Sequence, residues 1–114
     1  MPIERHDAGP RMSQAVVHNG TVYLAGQVSK NPDGVQAQTR DILARIDELL
    51  ATAGTDKSKL LSATIWLTDI STWSSMNEVW DAWVDQANPP VRAAIEAALA
   101  GPEYKVEIMV VAAQ

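Results

Sequence analysis

Hydrophobic residues along the chain recur with two spacings, one typical of β-strands and one typical of α-helices. Two β-rich runs, at about 14–18 and 21–28, flank Asn19-Gly20, a dipeptide that favours a two-residue hairpin turn. Alternating runs farther along the chain predict three more strands, at Leu60 to Thr68, Val91 to Leu99 and Tyr104 to Ala113.

Two segments between these strands have apolar residues at helical spacing. The first spans about 36–53 and ends before Gly54, a residue type suited to the position just after a helix. The second begins after Asp69 or Ser71, either of which can cap it, and ends before Pro89-Pro90. Its predicted apolar stripe contains Trp73, Met76, Trp80, Trp83 and Val84. The order β-β-α-β-α-β-β predicts an α+β fold, with two helices on one face of a mixed five-stranded sheet.

The second face of this sheet has no helix to cover it. We assign the helix-covered side to alternate residues of the last two strands: Val91, Ala93, Ile95, Ala97, Leu99, Val106, Ile108 and Val110. The uncovered side then carries Arg92, Ala94, Glu96, Ala98, Glu107, Met109, Val111, Ala113 and, on the third strand, Trp66. Because so much apolar surface is unusual in water, the sequence predicts that this face is buried against other copies of the chain.

Composition narrows the classes of function. The length of 114 residues is ordinary for one domain, and we interpret 1–114 as a single domain. The net charge of −5 and the scattered Lys and Arg argue against a nucleic-acid partner, which requires a basic surface. No apolar run is long enough for a bilayer and there is no cysteine, so we expect no membrane association and a cytoplasmic location.

Two charged residues in the predicted strands are candidates for chemistry. Arg92 follows Pro89-Pro90-Val91, and its permanently charged, planar guanidinium is suited to holding a carboxylate in an interface pocket. The alternative is a structural salt bridge across subunits, to Glu96 or Glu107. Glu107 lies among apolar strand residues, where a carboxylate needs a cationic partner or a water that it orients.

Other catalytic signatures are weak. His6 and His18 are the only histidines, and without a third ligand at suitable spacing they do not indicate a metal site. The chain contains no G-x-S-x-G elbow, and its only Gly-rich element, Asn19-Gly20, is a turn rather than a phosphate loop. We interpret the four tryptophans mainly as core residues of the second helix.

Several segments in order along nearly the whole chain resemble the Rid (YjgF-like) family. They are GPRMSQAV, VYLAGQVS, LATAGTDKSKLLSATIWLTDISTWSSMNEVW, PPVRAAIEAAL and KVEIMVVAA. The combination of LTD, MNEVW, P-x-R and VEI is specific, although each alone is weak. The amino-acid sequence of the second helix and the short N-terminus resemble the YoaB-like branch more than the RidA enzymes. The resemblance implies the chorismate-mutase-like fold and a homotrimer with three clefts between subunits.

The resemblance also implies an activity. In RidA-like members the arginine at the position of Arg92 binds the substrate carboxylate, and the glutamate at the position of Glu107 helps to hold the hydrolytic water. Gly26 and Ala94 would line the cleft. The implied reaction converts 2-aminoacrylate, or its tautomer 2-iminopropionate, to pyruvate and ammonia without a cofactor. Met12 occupies the substrate-binding position where RidA-like members usually have a tyrosine.

Two further departures concern Ala25, where those members have a hydroxyl residue, and Ala94, where they often have a cysteine. They leave open whether turnover is slow or a different imine is preferred. Three other hypotheses about function remain. They are a small 2-keto or 2-imino acid-binding regulatory module without turnover, a ribonuclease or translation inhibitor, and a trimer with a vestigial cleft. The acidic charge argues against the ribonuclease.

Overall fold

Six strands and two helices make up the computed structural model, which describes residues 2–114. The strands are β1 (Glu4–His6), β2 (Ala15–His18), β3 (Thr21–Leu24), β4 (Leu60–Leu67), β5 (Val91–Glu96) and β6 (Val106–Ala113). The helices are α1 (Val35–Thr52) and α2 (Trp73–Trp83), with short 3-10 turns at Lys57–Lys59 and Ile70–Thr72.

The strands form one mixed sheet in the order β1-β2-β3-β6-β4-β5, in which only β4 and β5 are parallel. Both helices pack on the same face, so the predicted α+β class is confirmed. The sheet has one strand more than predicted, because β1 pairs with β2 at the edge. Its three residues, Glu-Arg-His, carry no apolar alternation that a sequence pattern could detect.

The predicted hairpin and the ends of the first helix are confirmed with small shifts, whereas the residue that precedes α2 is Thr72 rather than Asp69 or Ser71. Asn19 and Gly20 have positive φ angles of 52° and 76°, as a two-residue turn between β2 and β3 requires. The first helix begins one residue earlier than predicted, at Val35, and Gly54 follows it with φ 80°. Within residues 2–114, neither helix combines the length and the apolarity that a bilayer-spanning segment needs.

The core lies between the helices and alternate residues of the central strands. The helix-covered residues of β4 and β6 are Ala63, Ile65, Leu67, Val106, Ile108, Val110 and Ala112, all of them buried. Their paired positions across β4 and β6 are in register, so the faces predicted for these two strands are confirmed. From the helices, α1 contributes a stripe that includes Ile42, Ile46 and Leu49, and α2 contributes Met76 and Trp80.

The predicted faces of β5 are wrong. The orientation of this strand follows from three residue pairs with β4: Ala63 with Arg92, Ile65 with Ala94 and Leu67 with Glu96. Because paired residues of neighbouring strands point to the same face, Arg92 lies on the helix-covered side. Val91 and Ile95 lie on the other side, where they are 73% and 45% exposed. β5 is an edge strand that meets polar and aromatic groups of α2, so its bulkier apolar residues do not mark the core.

We call the face without helices the open face. Its residues include Tyr23, Thr64, Trp66, Ile95 and Met109. Tyr23, Ile95 and Met109 are large apolar residues that are exposed on this face.

The structure also corrects the predicted stripe of α2, because Trp73 is 45% exposed at the start of the helix, and Val79 takes a buried position instead.

Candidate functional site

Arg92 is held by two side chains of α2. Its Nη1 donates a hydrogen bond of 2.7 Å to Oδ1 of Asn77, and its Cζ lies 5.3 Å from the ring centroid of Trp80. Arg92 is half-buried, and none of the ion pairs among residues 2–114 involves it. The salt bridges to Glu96 or Glu107 are therefore not made within the chain. A guanidinium bonded only to a neutral amide keeps its full positive charge for a ligand.

Asn77 belongs to the candidate site through its bond to Arg92, although the sequence pattern did not single it out. Asn77 and Trp80 are three positions apart, so they lie on the same side of α2 and meet Arg92 together. The available signal was the MNEVW segment, in which Asn77 is the polar residue beside the apolar stripe.

Asp69 begins the turn that precedes α2, where its side chain accepts hydrogen bonds from the backbone N–H and the hydroxyl of Ser71. These bonds, first the one from the hydroxyl, lower the pKa of Asp69.

Glu107 lies on the open face of β6, where it pairs with Trp66 of β4. Its carboxylate occupies the space beside Gly26, where a Cβ atom would overlap Oε2. Glu107 is half-buried and makes no side-chain hydrogen bond or ion pair within the described residues. A carboxylate in this setting has all its acceptor sites free for a water molecule or a ligand.

The segment around Gly26 leaves the regular sheet. β3 ends at Leu24, four residues earlier than predicted, and only Gln27 returns to pair with Ile108 of β6. The buried side chain of Gln27 fixes this irregular stretch, since its Nε2 donates to Oε1 of Gln14 at 2.9 Å and to the carbonyl of Ala25 at 3.0 Å. Glycine at position 26 leaves the Glu107 carboxylate where it lies, because a Cβ atom there would displace the end of that side chain.

The candidate residues form two groups on opposite faces of the sheet. Arg92 and Ala94 lie on the helix-covered side of β5, whereas Glu107 and Gly26 lie on the open face. Two strand spacings and three residue steps separate Arg92 from Glu107, which places their Cα atoms roughly 14 Å apart. Met12, in the loop before β2, is 48% exposed. One copy of the chain does not bring Arg92 and Glu107 to the same ligand.

Other parts of the described chain offer less chemistry. Residues 2–114 contain no group of three or more His, Cys, Asp or Glu side chains arranged for a metal ion. A groove of about 490 Å³ lies between α1 and α2, and another of about 600 Å³ lies along the loop after β5. Neither groove includes Arg92 or Glu107.

Comparison with known proteins adds a consistent set of relatives. Residues 3–114 match the family model described as Endoribonuclease L-PSP. The chain is 46% identical to the RutC family protein YoaB of Escherichia coli over 114 residues, 99% of each chain. It is 34% identical to a 2-iminobutanoate/2-iminopropanoate deaminase of Bos taurus over 109 residues, 90% of this chain and 79% of the relative.

Solved structures agree with these matches. The chain superposes on a YjgF-family protein of Neisseria meningitidis with a TM-score of 0.97 and 45% identity, covering 100% of this chain and 96% of the other. The six-stranded sheet with two helices on one face is therefore the architecture of these relatives. The deaminase name belongs to relatives at about 34% identity, whereas those at 46% carry family names only.

Proposed function

The chain belongs to the Endoribonuclease L-PSP family, known also as Rid or YjgF, and from this membership we propose that it is a hydrolytic deaminase of small reactive imines. Substrates of the 2-aminoacrylate and 2-iminopropionate type would yield 2-keto acids and ammonia. Relatives named 2-iminobutanoate/2-iminopropanoate deaminase support the proposal, since 2-iminopropanoate is the same compound as 2-iminopropionate. Its setting would be the cytoplasm, and no cofactor takes part in the proposed steps.

One observation carries the proposal: the positive charge of Arg92 is held in place without being neutralised by a carboxylate of its own chain. Asn77 fixes one nitrogen of the guanidinium and Trp80 lies against it, while other donors remain free. A small anion with a planar carboxylate, such as a 2-imino acid, matches these donors in charge and shape.

The hydrolysis itself needs little from the protein. A water oxygen adds to the carbon of the C=N bond while the nitrogen gains a proton, and the resulting carbinolamine releases ammonia as the C=O bond forms. An enamine first gains a proton at carbon and loses one from nitrogen, which converts it to the imine. The unpaired carboxylate of Glu107 would orient the water and accept its proton, and Arg92 would hold the substrate carboxylate in line with it.

Arg92 and Glu107 must meet at a boundary between copies for this mechanism to operate, because they lie on opposite faces of one sheet. A homotrimer with three clefts satisfies this requirement if the open face of each copy packs in the centre. The apolar character of that face, with Tyr23, Ile95 and Met109 exposed, supports its burial in the assembly. Each cleft would combine Arg92 and Ala94 of one copy with Glu107 and Gly26 of another.

The test is a competition assay in which an amino-acid oxidase generates imines and semicarbazide traps those that are not hydrolysed. The protein should lower the yield of trapped product, and Arg92→Ala should abolish this effect without changing the oligomeric mass. Arg45→Ala is the matched control, because Arg45 makes exposed ion pairs with Asp7 and Glu48. Full activity in Arg92→Ala would rule out the role of Arg92.

A binding module without turnover is the second candidate. It is favoured by the absence of hydroxyl and thiol groups at Met12, Ala25 and Ala94, which removes proton donors from the region. A protein that binds pyruvate through Arg92 but does not change the decay rate of any imine would fit this candidate. An RNA substrate, which the family description suggests, is opposed by the net charge of −5.

A further inference from the structure

We propose that Trp80 is a positioning residue for Arg92: its ring holds the guanidinium in one plane and thereby directs the edge formed by Nε and Nη2 toward the carboxylate of the ligand. The inference rests on the proposed role of Arg92 as carboxylate anchor and extends it to a residue that touches no substrate. Trp80 was predicted from the sequence only as a core residue of the second helix.

The contact between these residues has the geometry of a cation–π interaction. The Cζ atom of Arg92 lies 5.3 Å from the centroid of the Trp80 ring, within the range of about 6 Å in which such attraction is effective. Trp80 is 5% exposed and Arg92 is half-buried, so little water separates the charge from the ring. Lower screening strengthens the attraction compared with an exposed pair.

Trp80 is itself held firmly. Its ring packs against that of Trp83, with centroids 5.4 Å apart and planes inclined by 52°. Trp83 is anchored in turn, because its Nε1 donates a hydrogen bond of 3.0 Å to Oδ2 of Asp47 on α1. Lys57 lies over the Trp83 ring at 5.3 Å. The surface that Arg92 rests on is thus fixed by contacts with α1 and with the turn before β4.

Asn77 and Trp80 restrict the guanidinium in complementary ways. Asn77 accepts a hydrogen bond from Nη1, which sets the rotation of the group, and the Trp80 ring, with its centroid 5.3 Å from Cζ, would limit its tilt. Within the described chain, Nε and Nη2 have no hydrogen-bond acceptor, so their parallel N–H bonds form the free edge. A carboxylate binding there in a bidentate manner uses two donors whose direction is already set.

A purely structural role for Trp80 makes a different prediction. Removing a core ring would lower the stability of the fold, but the folded molecules would bind ligand as before. A positioning role requires that folded molecules lose affinity for carboxylates, and that an aromatic replacement restores part of it. Trp80→Leu, Trp80→Phe and a control core truncation, Leu49→Ala on α1, separate the two roles.

The first experiment observes Arg92 directly by ¹H–¹⁵N NMR, with its Nε–Hε signal assigned by its loss in Arg92→Lys. In the wild type and in Leu49→Ala, the steady-state ¹H–¹⁵N NOE of this signal should show a rigid guanidinium. The rigidity should be partly retained in Trp80→Phe and lost in Trp80→Leu. Equal rigidity in wild type and Trp80→Leu, with both folded, would overturn the proposal. This measurement needs neither turnover nor a ligand, so it stands apart from the proposed deaminase activity.

The second experiment measures pyruvate binding by calorimetry well below the unfolding temperature. Trp80→Leu should weaken binding roughly 3- to 30-fold, the range that a cation–π contact accounts for, and Trp80→Phe should weaken it less. Leu49→Ala should be destabilised but bind normally. Equal affinity in Trp80→Leu and wild type would contradict the positioning role. If the wild type binds no pyruvate and hydrolyses no imine, the proposed function fails, while the NMR result still decides the role of Trp80.

Discussion

The carboxylate of Glu107 fills the space that a side chain at Gly26 would need. Gly26 does not have a positive φ angle, so its backbone conformation alone is open to other residues. The requirement for glycine thus comes from the neighbouring carboxylate. Because the glycine is needed only for the carboxylate, a substitution at Gly26 can change the candidate site separately from folding.

Gly26→Ala should reduce imine hydrolysis by about 100-fold, because the new methyl group displaces Glu107 from the position in which it would orient water. Stability should change by less than about 1 kcal/mol, since the atom in conflict is the end of a flexible side chain and alanine restricts the unfolded chain. Initial rates and urea unfolding measure the two effects.

Gly9→Ala is the matched control for this substitution. A Cβ atom at position 9 would lie 3.8 Å from the carbonyl oxygen of Met12, which is an ordinary contact. This variant should keep both activity and stability. A Gly26→Ala protein as active as Gly9→Ala would show that the position of Glu107 does not matter for the reaction.

Asn77→Asp should weaken pyruvate binding at least about tenfold, equivalent to about 1.4 kcal/mol. The substitution replaces the neutral acceptor of the Arg92 hydrogen bond by a carboxylate, which would neutralise the guanidinium. Stability should not fall, because the new pair remains hydrogen-bonded. Calorimetry with pyruvate gives the affinity, and denaturant unfolding gives the stability.

Asn19→Asp makes the same change of net charge at the tip of the β2–β3 hairpin, where aspartate is also tolerated before glycine. It should leave pyruvate binding unchanged. Equal affinities for the Asn77 and Asn19 variants would mean that the free charge of Arg92 does not hold the ligand.

Sequence patterns predicted the central sheet and both helices because alternation and helical spacing report burial directly. They failed at the edges, where burial is partial. β1 is too short and polar to show a pattern, and the faces of β5 were reversed because Val91 and Ile95 are bulky but exposed. The reversal changed the picture of the site, since it moved Arg92 to the face opposite Glu107. Contacts such as that with Asn77 depend on how α2 crosses β5, which no local pattern encodes.

Asp69→Ala should lower stability near neutral pH, and the loss should diminish in acid. Hydrogen bonds from Ser71 hold the pKa of Asp69 below its ordinary value of 3.8, so its contribution is present above that value. The contribution is lost as the pH falls through the lowered folded-state pKa. Urea midpoints of wild type and variant, measured from about pH 7 to about pH 2, should therefore converge in acid. A constant difference would show that the charge of Asp69 plays no part.

Met109→Glu should break the proposed trimer. Met109 lies on the open face opposite Thr64, and a carboxylate buried there between copies would lack a partner. The solution mass should fall to that of the 12.3 kDa chain, with loss of imine hydrolysis. Ala51→Glu, at an exposed position of α1, adds the same charge and should leave the mass and activity unchanged. Light scattering after size-exclusion chromatography measures the masses.

Mixing two inactive variants should restore activity, because each proposed cleft takes Arg92 from one copy and Glu107 from another. Arg92→Ala and Glu107→Gln chains, denatured together and refolded in equal amounts, would form trimers with random composition. Each cleft then has about one chance in four of receiving both intact residues, so activity should return to about a quarter of the wild-type value. Either variant refolded alone should stay inactive. A mixture with no more activity than its components would contradict the shared cleft. Both residues would then act from the same copy, or they would not act together at all. The first explanation is not allowed by the opposite faces on which Arg92 of β5 and Glu107 of β6 lie.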